Sequence, residues 1–244
     1  MKQIKVCVFG LGYIGLPTSL LLANSGFKVF GVDTNPKVVD SLKNKKTHIN
    51  EPEISKLLVK NIENNQFIPK TRPVSADVFL IAVPTPFLSN KDSRNNDIPL
   101  PNIEFVEQAA EMIAELCEPN NLVIIESTSP VGTSEKIFNK IIKKTKLDKK
   151  ELNLAYCPER VLPGNILSEL INNNRVIGGI NKESSLAAEK FYKVFCRGEI
   201  RITNSKTAEL VKLTENAYRD INIAFANEVS MICHEENINT DELI

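Results

Sequence analysis

Lys5-Val-Cys-Val-Phe-Gly10-Leu-Gly-Tyr-Ile-Gly15 decides the fold. A short apolar run meets glycines at positions 10, 12 and 15 and then passes into a segment of helical spacing, the context in which a GxGxxG pattern has a physical meaning. Gly10 permits a tight turn, Gly12 lets the backbone approach a pyrophosphate, and Gly15 allows close packing of helix on strand, while the helix N-terminus attracts anionic phosphates. A second apolar run ends at Asp33, 18 residues after Gly15. A carboxylate there accepts hydrogen bonds from adenine-ribose hydroxyls and repels a 2′-phosphate, which favours NAD over NADP. The alternative is a structural turn with Asp33 capping the next helix. Tyr13 and Ile14 lie within the turn and are open to contact with the cofactor or to plain packing.

Working outward, apolar runs recur at residues 4–9, 29–32, 78–83, 122–125 and 152–156, with helical spacing or composition at 14–23, 36–42, 103–116 and 134–142. The βαβα order predicts an α/β, Rossmann-like, doubly wound parallel sheet. Residues 175–179 and 199–203 read as two further strands about a helix over 184–195, so the sheet continues. Residues 87–101 are rich in Asn, Asp, Ser and Pro and are expected to be exposed and mobile, as an insertion or a lid. From Ser205 to Glu236 no Gly or Pro occurs, and apolar residues recur at Leu210, Leu213, Ala217, Ile221, Ala224 and Val229, which predicts one long helix. Such a helix outreaches a small domain and is expected to bridge to another domain or subunit. The expected division is a cofactor-binding domain over 1–204 and a long connecting, dimerising helix opening a central region over 205–244.

Composition narrows the class. Thirty basic residues balance 30 acidic ones, which gives no general basic surface for nucleic acid. The N-terminal run is neither a signal-peptide core nor a membrane span. The five cysteines are spread without a CxxC, and the two histidines, His48 and His234, stand far apart. Reduced thiols, no metal site, no membrane insertion and a cytoplasmic location are expected.

Chemistry-bearing residues collect where strands end, the edge at which open α/β sheets bind ligands. Val83-Pro-Thr-Pro86 offers Thr85, and Glu126-Ser-Thr-Ser-Pro-Val-Gly-Thr133 offers Thr128; each is a ligand candidate or a satisfied turn hydroxyl. Tyr156-Cys-Pro-Glu-Arg-Val-Leu-Pro-Gly-Asn165 offers Glu159, able to order water or act as a base, and Arg160, able to hold a pyrophosphate or carboxylate. A surface ion pair between them is the plainer reading, and Cys157, with no histidine near it in sequence, reads as inert packing. Lys212 and Asn216 fall on one face of the long helix, where they can address one substrate oxygen or simply be solvated.

In order, the segments at 10–17 (GLGYIGLP), 83–87 (VPTPF), 126–133 (ESTSPVGT), 157–165 (CPERVLPGN) and 207–228 (TAELVKLTENAYRDINIAFANE) resemble the UDP-glucose/GDP-mannose dehydrogenase family over essentially the whole chain. The resemblance implies a four-electron oxidation with two NAD per turnover. A nucleotide-sugar C6 alcohol becomes an aldehyde, is captured by a cysteine as a thiohemiacetal, is oxidised to a thioester and is hydrolysed to a uronic acid. It also implies that Tyr13, Ile14, Asp33, Thr85 and Thr128 contact NAD and that Arg160 and Val161 contact substrate. Lys212 and Asn216 then face the C6 oxygen, Glu159 assists proton transfer or activates water, and Thr128 helps position that water.

Two departures refine this expectation. Pro163 stands where the glucose and mannose branches carry a second carboxylate, so the loop resembles the N-acetylhexosamine branch. The implied substrate is UDP-N-acetyl-D-mannosamine, with UDP-N-acetylglucosamine the alternative, and the implied role is in precursor supply for bacterial surface polysaccharide. The family's nucleophilic cysteine sits in a glycine-rich segment beyond the long helix, and none of the five cysteines before Ile244 matches it. The 244 residues are therefore expected to be a truncated part that binds NAD, pairs with a second copy through the helix and does not turn over sugar. Competing expectations are a two-electron hydroxyacid dehydrogenase, which needs no cysteine, and a non-catalytic NAD-binding interaction module.

Overall fold

β1 (Lys5–Phe9) sends Val6 and Val8 to one face of a sheet and Cys7 and Phe9 to the other, and all four are buried. A strand apolar on both sides needs helices on both faces, which is what distinguishes a doubly wound sheet from a half-solvated one. The computed structural model describes residues 3–88, 99–161 and 164–243. After β1 come α1 (Gly15–Asn24), β2 (Lys28–Val32), α2 (Pro36–Lys43), α3 (Pro52–Glu63), β3 (Phe67–Lys70), β4 (Val78–Ile81), α4 (Glu104–Ala114), β5 (Leu122–Ile125), α5 (Thr133–Lys144) and β6 (Asn153–Tyr156). These are followed by α6 (Ile166–Asn172), β7 (Arg175–Gly179), α7 (Lys182–Tyr192), β8 (Ile200–Asn204), α8 (Ser205–Glu236) and α9 (Thr240–Leu243).

The strands form one sheet in the order β3-β2-β1-β4-β5-β6-β7-β8. Its first six members are parallel, in the order of a dinucleotide-binding domain. Between residues 43 and 77 the apolar-run reading places no element, whereas the structure has α3 and β3. β3 is a four-residue edge strand carrying Pro69, too short and too interrupted to read as a buried strand. α3 was legible: Pro52 opens it, and Ile54 and Leu58, four residues apart, are buried.

The parallel run ends at β6. β7 pairs with it antiparallel, Ala155 opposite Gly179 and Tyr156 opposite Gly178, and β8 then runs parallel to β7. The N-terminal end of β7 therefore lies at the same edge as the C-terminal ends of β1 to β6. β8 ends at Asn204, level through Gly179 with Ala155 and so within one residue of the end of β6, and α8 turns back from there.

α8 has the bounds expected from its composition. Asn204 caps it by accepting from the Thr207 N–H at 2.9 Å, and Asn237, left-handed at φ 56°, ends it. Its 32 residues extend about 48 Å. Only its ends are covered: Ser205, Ala208, Glu209 and Cys233 are buried, while Tyr218, Ile221 and Phe225 are each about 70% exposed. The neck of the 87–101 segment closes through Leu88 N–H to Leu100 O at 2.8 Å and Asn102 N–H to Pro86 O at 2.7 Å. The expected lid or insertion between, at 89–98, lies outside the described residues. No described helix is long and apolar enough to cross a membrane.

One buried side chain fastens α8 to the domain. The Glu209 carboxylate, fully buried, accepts from the Gly132 N–H at 2.6 Å and from the Ser134 N–H and hydroxyl at 2.7 Å each. It serves as a cap, supplied from another helix, for the N-terminus of α5, whose own cap position is Gly132. Replacing Glu209 by Ala is expected to lower the unfolding free energy by about 2–3 kcal/mol in urea denaturation, since charge-assisted bonds are lost and their donors stay buried. Glu209→Gln, which keeps one acceptor, should cost less.

Candidate functional site

The turn after β1 has the geometry its glycines imply. Gly10 adopts φ +90°, and its N–H donates to Val32 O at 2.8 Å. A Cβ at Gly10 would stand 2.5 Å from Ala82 O, and one at Gly15 would stand 1.9 Å from Gly10 O. Both glycines are thus required by backbone contacts. Gly12 differs: a Cβ there meets nothing within 4 Å, because Gly12 borders open space. That space is a cavity of about 640 Å³ at the C-terminal edge of the sheet.

Asp33 sits at one end of the cavity. Its carboxylate accepts from the Leu11 N–H at 3.0 Å and the Asn35 N–H at 2.9 Å, which orients it and leaves each oxygen further acceptor capacity. It does not cap α2; Asn35 does, by accepting from the Lys37 N–H at 3.0 Å. No acidic residue stands in the first turn of α1, so the positive end of that helix keeps its attraction for an anion. The glycine turn, the bare helix start and the acid at the end of β2 together fit an extended dinucleotide.

Gly10, Gly12, Tyr13, Ile14, Asp33, Thr85, Thr128, Glu159, Val161 and Lys212 all line the same cavity, although they are scattered over two hundred residues of sequence. The expected alternative for the two threonines was a satisfied turn hydroxyl. Here serines do that work: Ser127 Oγ donates to Val83 O at 2.7 Å and Ser129 Oγ to Ser127 O at 2.9 Å. Neither Thr85 nor Thr128 has a hydroxyl partner among the described residues. Tyr13 also bonds weakly, through its hydroxyl, to Glu51 Oε1 at 3.4 Å; the same oxygen accepts from the Gly164 N–H at 3.0 Å. Glu51 thereby links the cofactor turn to the loop after β6.

Glu159 and Arg160 do not pair with each other. Arg160 turns to a second, shallower groove, where it pairs with Glu215 and donates to Asn174 O at 2.6 Å. Asn216 is half-buried one turn beyond Lys212 and is not among the residues lining the main cavity. Glu159 is 7% exposed and is pinned twice, by the Arg160 N–H at 2.7 Å and by Arg175 Nη1 at 3.3 Å. Arg175 is itself buried, donates to Leu170 O at 3.0 Å and lies 4.6 Å from the centroid of the Tyr192 ring. Burial alone would depress its guanidinium; Glu159 and the neighbouring groups outweigh that and hold it charged.

Sequence reasoning missed this arginine, which reaches the site only because β7 is reversed. It also passed over Glu126, an acid that directly follows the all-apolar β5 at the ligand-binding edge, a signal that was available. Glu126 lines the cavity, is 3% exposed, and accepts from the Tyr192 hydroxyl at 2.6 Å.

Cys157 behaves as expected of an inert thiol: it is buried, and burial pushes it up to about 12. All five cysteines are free, and none lines the cavity. Among the described residues no group of acidic, histidine and cysteine side chains could hold a metal. Lys212 Nζ donates to the backbone carbonyl of Glu159 at 2.5 Å. Burial lowers its ammonium below the ordinary lysine range, against the opposing pull of Glu159. After reductive ¹³C-methylation, one dimethyl-lysine resonance should titrate below that range and be absent from Lys212→Arg; a spectrum without such a resonance would contradict the desolvated placement.

Residues 4–196 match the NAD binding domain of the UDP-glucose/GDP-mannose dehydrogenase family, and residues 206–244 match that family's central domain. The chain is 45% identical to UDP-N-acetyl-D-mannosamine dehydrogenase of Yersinia pestis, over all of this chain and 58% of that protein. It is 44% identical to NDP-N-acetyl-D-galactosaminuronic acid dehydrogenase of Ralstonia nicotianae, over 98% of this chain and 56% of that one. Among solved structures it is similar to UDP-D-ManNAc dehydrogenase of Pyrococcus horikoshii, with a TM-score of 0.91 and 39% identity over 99% of this chain and 56% of the other. The chain thus spans somewhat over half the length of these relatives. It belongs to the UDP-glucose/GDP-mannose dehydrogenase family and carries that family's NAD-binding domain.

Proposed function

We propose that this chain supplies the cofactor half of an NAD-dependent dehydrogenase that oxidises the C6 alcohol of a UDP-N-acetylhexosamine to the uronic acid. UDP-N-acetyl-D-mannosamine is the first candidate substrate, in keeping with the relatives' names. The observation that carries this reading is the single cavity joining the glycine turn and Asp33 to Glu159 and Lys212. The proposed division is cofactor binding over 1–204 and a connecting, dimerising helix from 205.

In this reading the pyrophosphate lies against Gly12 and the start of α1, with Tyr13 and Ile14 beside it, and Asp33 accepts from the ribose hydroxyls. Thr85 and Thr128 offer their free hydroxyls to the remainder of the cofactor, and Thr128 also positions a water. NAD, when bound, supplies the hydride acceptor. Lys212, held at the cavity by the Glu159 carbonyl, stabilises negative charge as it develops on the C6 oxygen, and Asn216 orients that oxygen from the next turn. Glu159, its carboxylate pinned by Arg175, takes up or relays the departing proton. Val161 from the cavity wall and Arg160 from the adjoining groove hold the substrate.

None of the five thiols lines the cavity, which supports a nucleophilic cysteine supplied from outside these residues. The exposed apolar face of α8 supports pairing with a second copy. Free thiols accord with a cytoplasmic location.

Calorimetry should show NAD binding in preference to NADP. Asp33→Asn should weaken NAD binding roughly 10- to 100-fold, the value of a lost charge-assisted bond, and narrow the preference over NADP. Little binding of UDP-N-acetylmannosamine and no uronic acid are expected from the 244 residues alone; uronate formation would sink the placement of the nucleophile. In sedimentation the chain should be dimeric, and Ile221→Asp should shift it to monomer.

A further inference from the structure

The position of Glu126 relative to Asp33 assigns it a neighbour. Asp33 follows β2 on one side of β1, whereas Glu126 follows β5, two strands to the other side, so the two acids stand roughly 14 Å apart along the edge at the usual strand spacing. On the reading above, the pyrophosphate is at the turn after β1 and the adenine ribose at Asp33. An extended dinucleotide then has to send its nicotinamide half over the ends of β4 and β5, where Glu126 forms part of the wall. The ring is cationic in NAD and neutral in NADH. A buried carboxyl beside it is a group whose ionisation that charge can change.

Glu126 is built to respond. One carboxyl oxygen accepts from Tyr192, and the other, Oε2, is buried without a hydrogen-bond partner among the described residues. The groups that face it are Glu159 and Cys157 from the loop after β6, Arg175 from β7 and Tyr192 from α7; Lys212 from α8 lines the same cavity. Two buried carboxyls share one guanidinium, and Arg175 spends its ion pair on Glu159. Burial, with the Glu159 charge, pushes Glu126 up to about 7, against the pull of Arg175 and the Tyr192 hydroxyl.

We infer that Glu126 is a proton-linked sensor of cofactor charge, releasing its proton to solvent when NAD binds and keeping it when NADH binds. This rests on the cofactor reading above. The sign follows from linkage: a nearby cation favours the carboxylate and lowers its titration in the NAD complex. Proton release is therefore confined to the window between that lowered value and about pH 7, and vanishes both above it and at lower pH, where both states hold the proton. NAD affinity then falls as pH drops through that region, and NADH affinity does not. Hydride transfer, which turns the ring neutral, restores the preference for the protonated acid, so Glu126 can take up the proton that alcohol oxidation liberates.

The test is calorimetry of the 244-residue protein with NAD and NADH, in buffers of different ionisation enthalpy, across neutral pH. A sizeable fraction of one proton should be released per NAD near and below neutrality, and little per NADH. Glu126→Gln should abolish the release and make NAD affinity independent of pH in this range. Tyr192→Phe, which removes a donor to the carboxylate, should move the release window to higher pH, a shift that a purely structural role does not produce. Proton-neutral NAD binding by the unaltered protein, or release that persists in Glu126→Gln, overturns the inference while leaving the cofactor reading standing. Absence of NAD binding overturns both.

Discussion

The buried pair between Arg175 and Glu159 is the constraint on which the chemistry-bearing end of the cavity depends. A carboxylate cannot stay charged at 7% exposure without a partner, and Arg175, at 4%, is that partner. It exists because β7 runs antiparallel to β6: with Tyr156 opposite Gly178, the start of β7 reaches beyond the end of β6, where Arg175 meets Glu159. A parallel β7 would put the guanidinium at the far edge. The reversed strand is therefore a condition for a charged residue in the loop after β6, and the rings of Tyr192 and Phe195 beneath the guanidinium hold it in place.

The same reversal determines where Lys212 falls. β8 follows β7 in direction and ends level with Ala155, below the end of the sheet that bears the cavity, so α8 starts there. Seven residues of helix rise about 10 Å, enough to carry Lys212 back to the Glu159 carbonyl, and Glu209 fixes the helix one turn earlier. Glu209 and Lys212 are three residues apart and so share a face, one fastening the helix to α5 and the other presenting an ammonium to the cavity. The remainder of α8 runs clear of the sheet, and its exposed Tyr218, Ile221 and Phe225 are the visible result.

The cofactor end of the site was legible because its determinants are local: a strand, a glycine turn, a helix and an acid within the first 33 residues. The span of α8 was legible for a similar reason, since the absence of Gly and Pro and an Asn at each boundary act over single turns. Arg175 was not, because it opens a short strand whose direction no local signal states, and direction alone decides whether it meets Glu159. Glu126 stood in a motif whose threonine drew the attention; its burial, and the hydroxyl from Tyr192 66 residues away, are properties of the packed sheet. Asn216 shares a helix face with Lys212 by spacing, and it stands half-buried one turn on, beside rather than within the cavity lining, because the helix is leaving the domain there.

The antiparallel return also sets an order of events when the chain is made. The glycine turn and Asp33 lie in the first 33 residues, whereas Arg175 and Lys212 come from the last third. At roughly 5–20 residues per second, the phosphate-binding end leaves the ribosome many seconds before the groups that complete the opposite wall. Glu159 itself precedes Arg175 by 16 residues, so for about 1–3 s of that interval the loop after β6 lacks its counter-charge and the edge of β6 lies open. A nascent chain of about 160 residues thus has a core that can begin to fold but an acid that cannot yet be buried as a carboxylate. Docking of β7 and α8 then covers the open edge and admits the charge together.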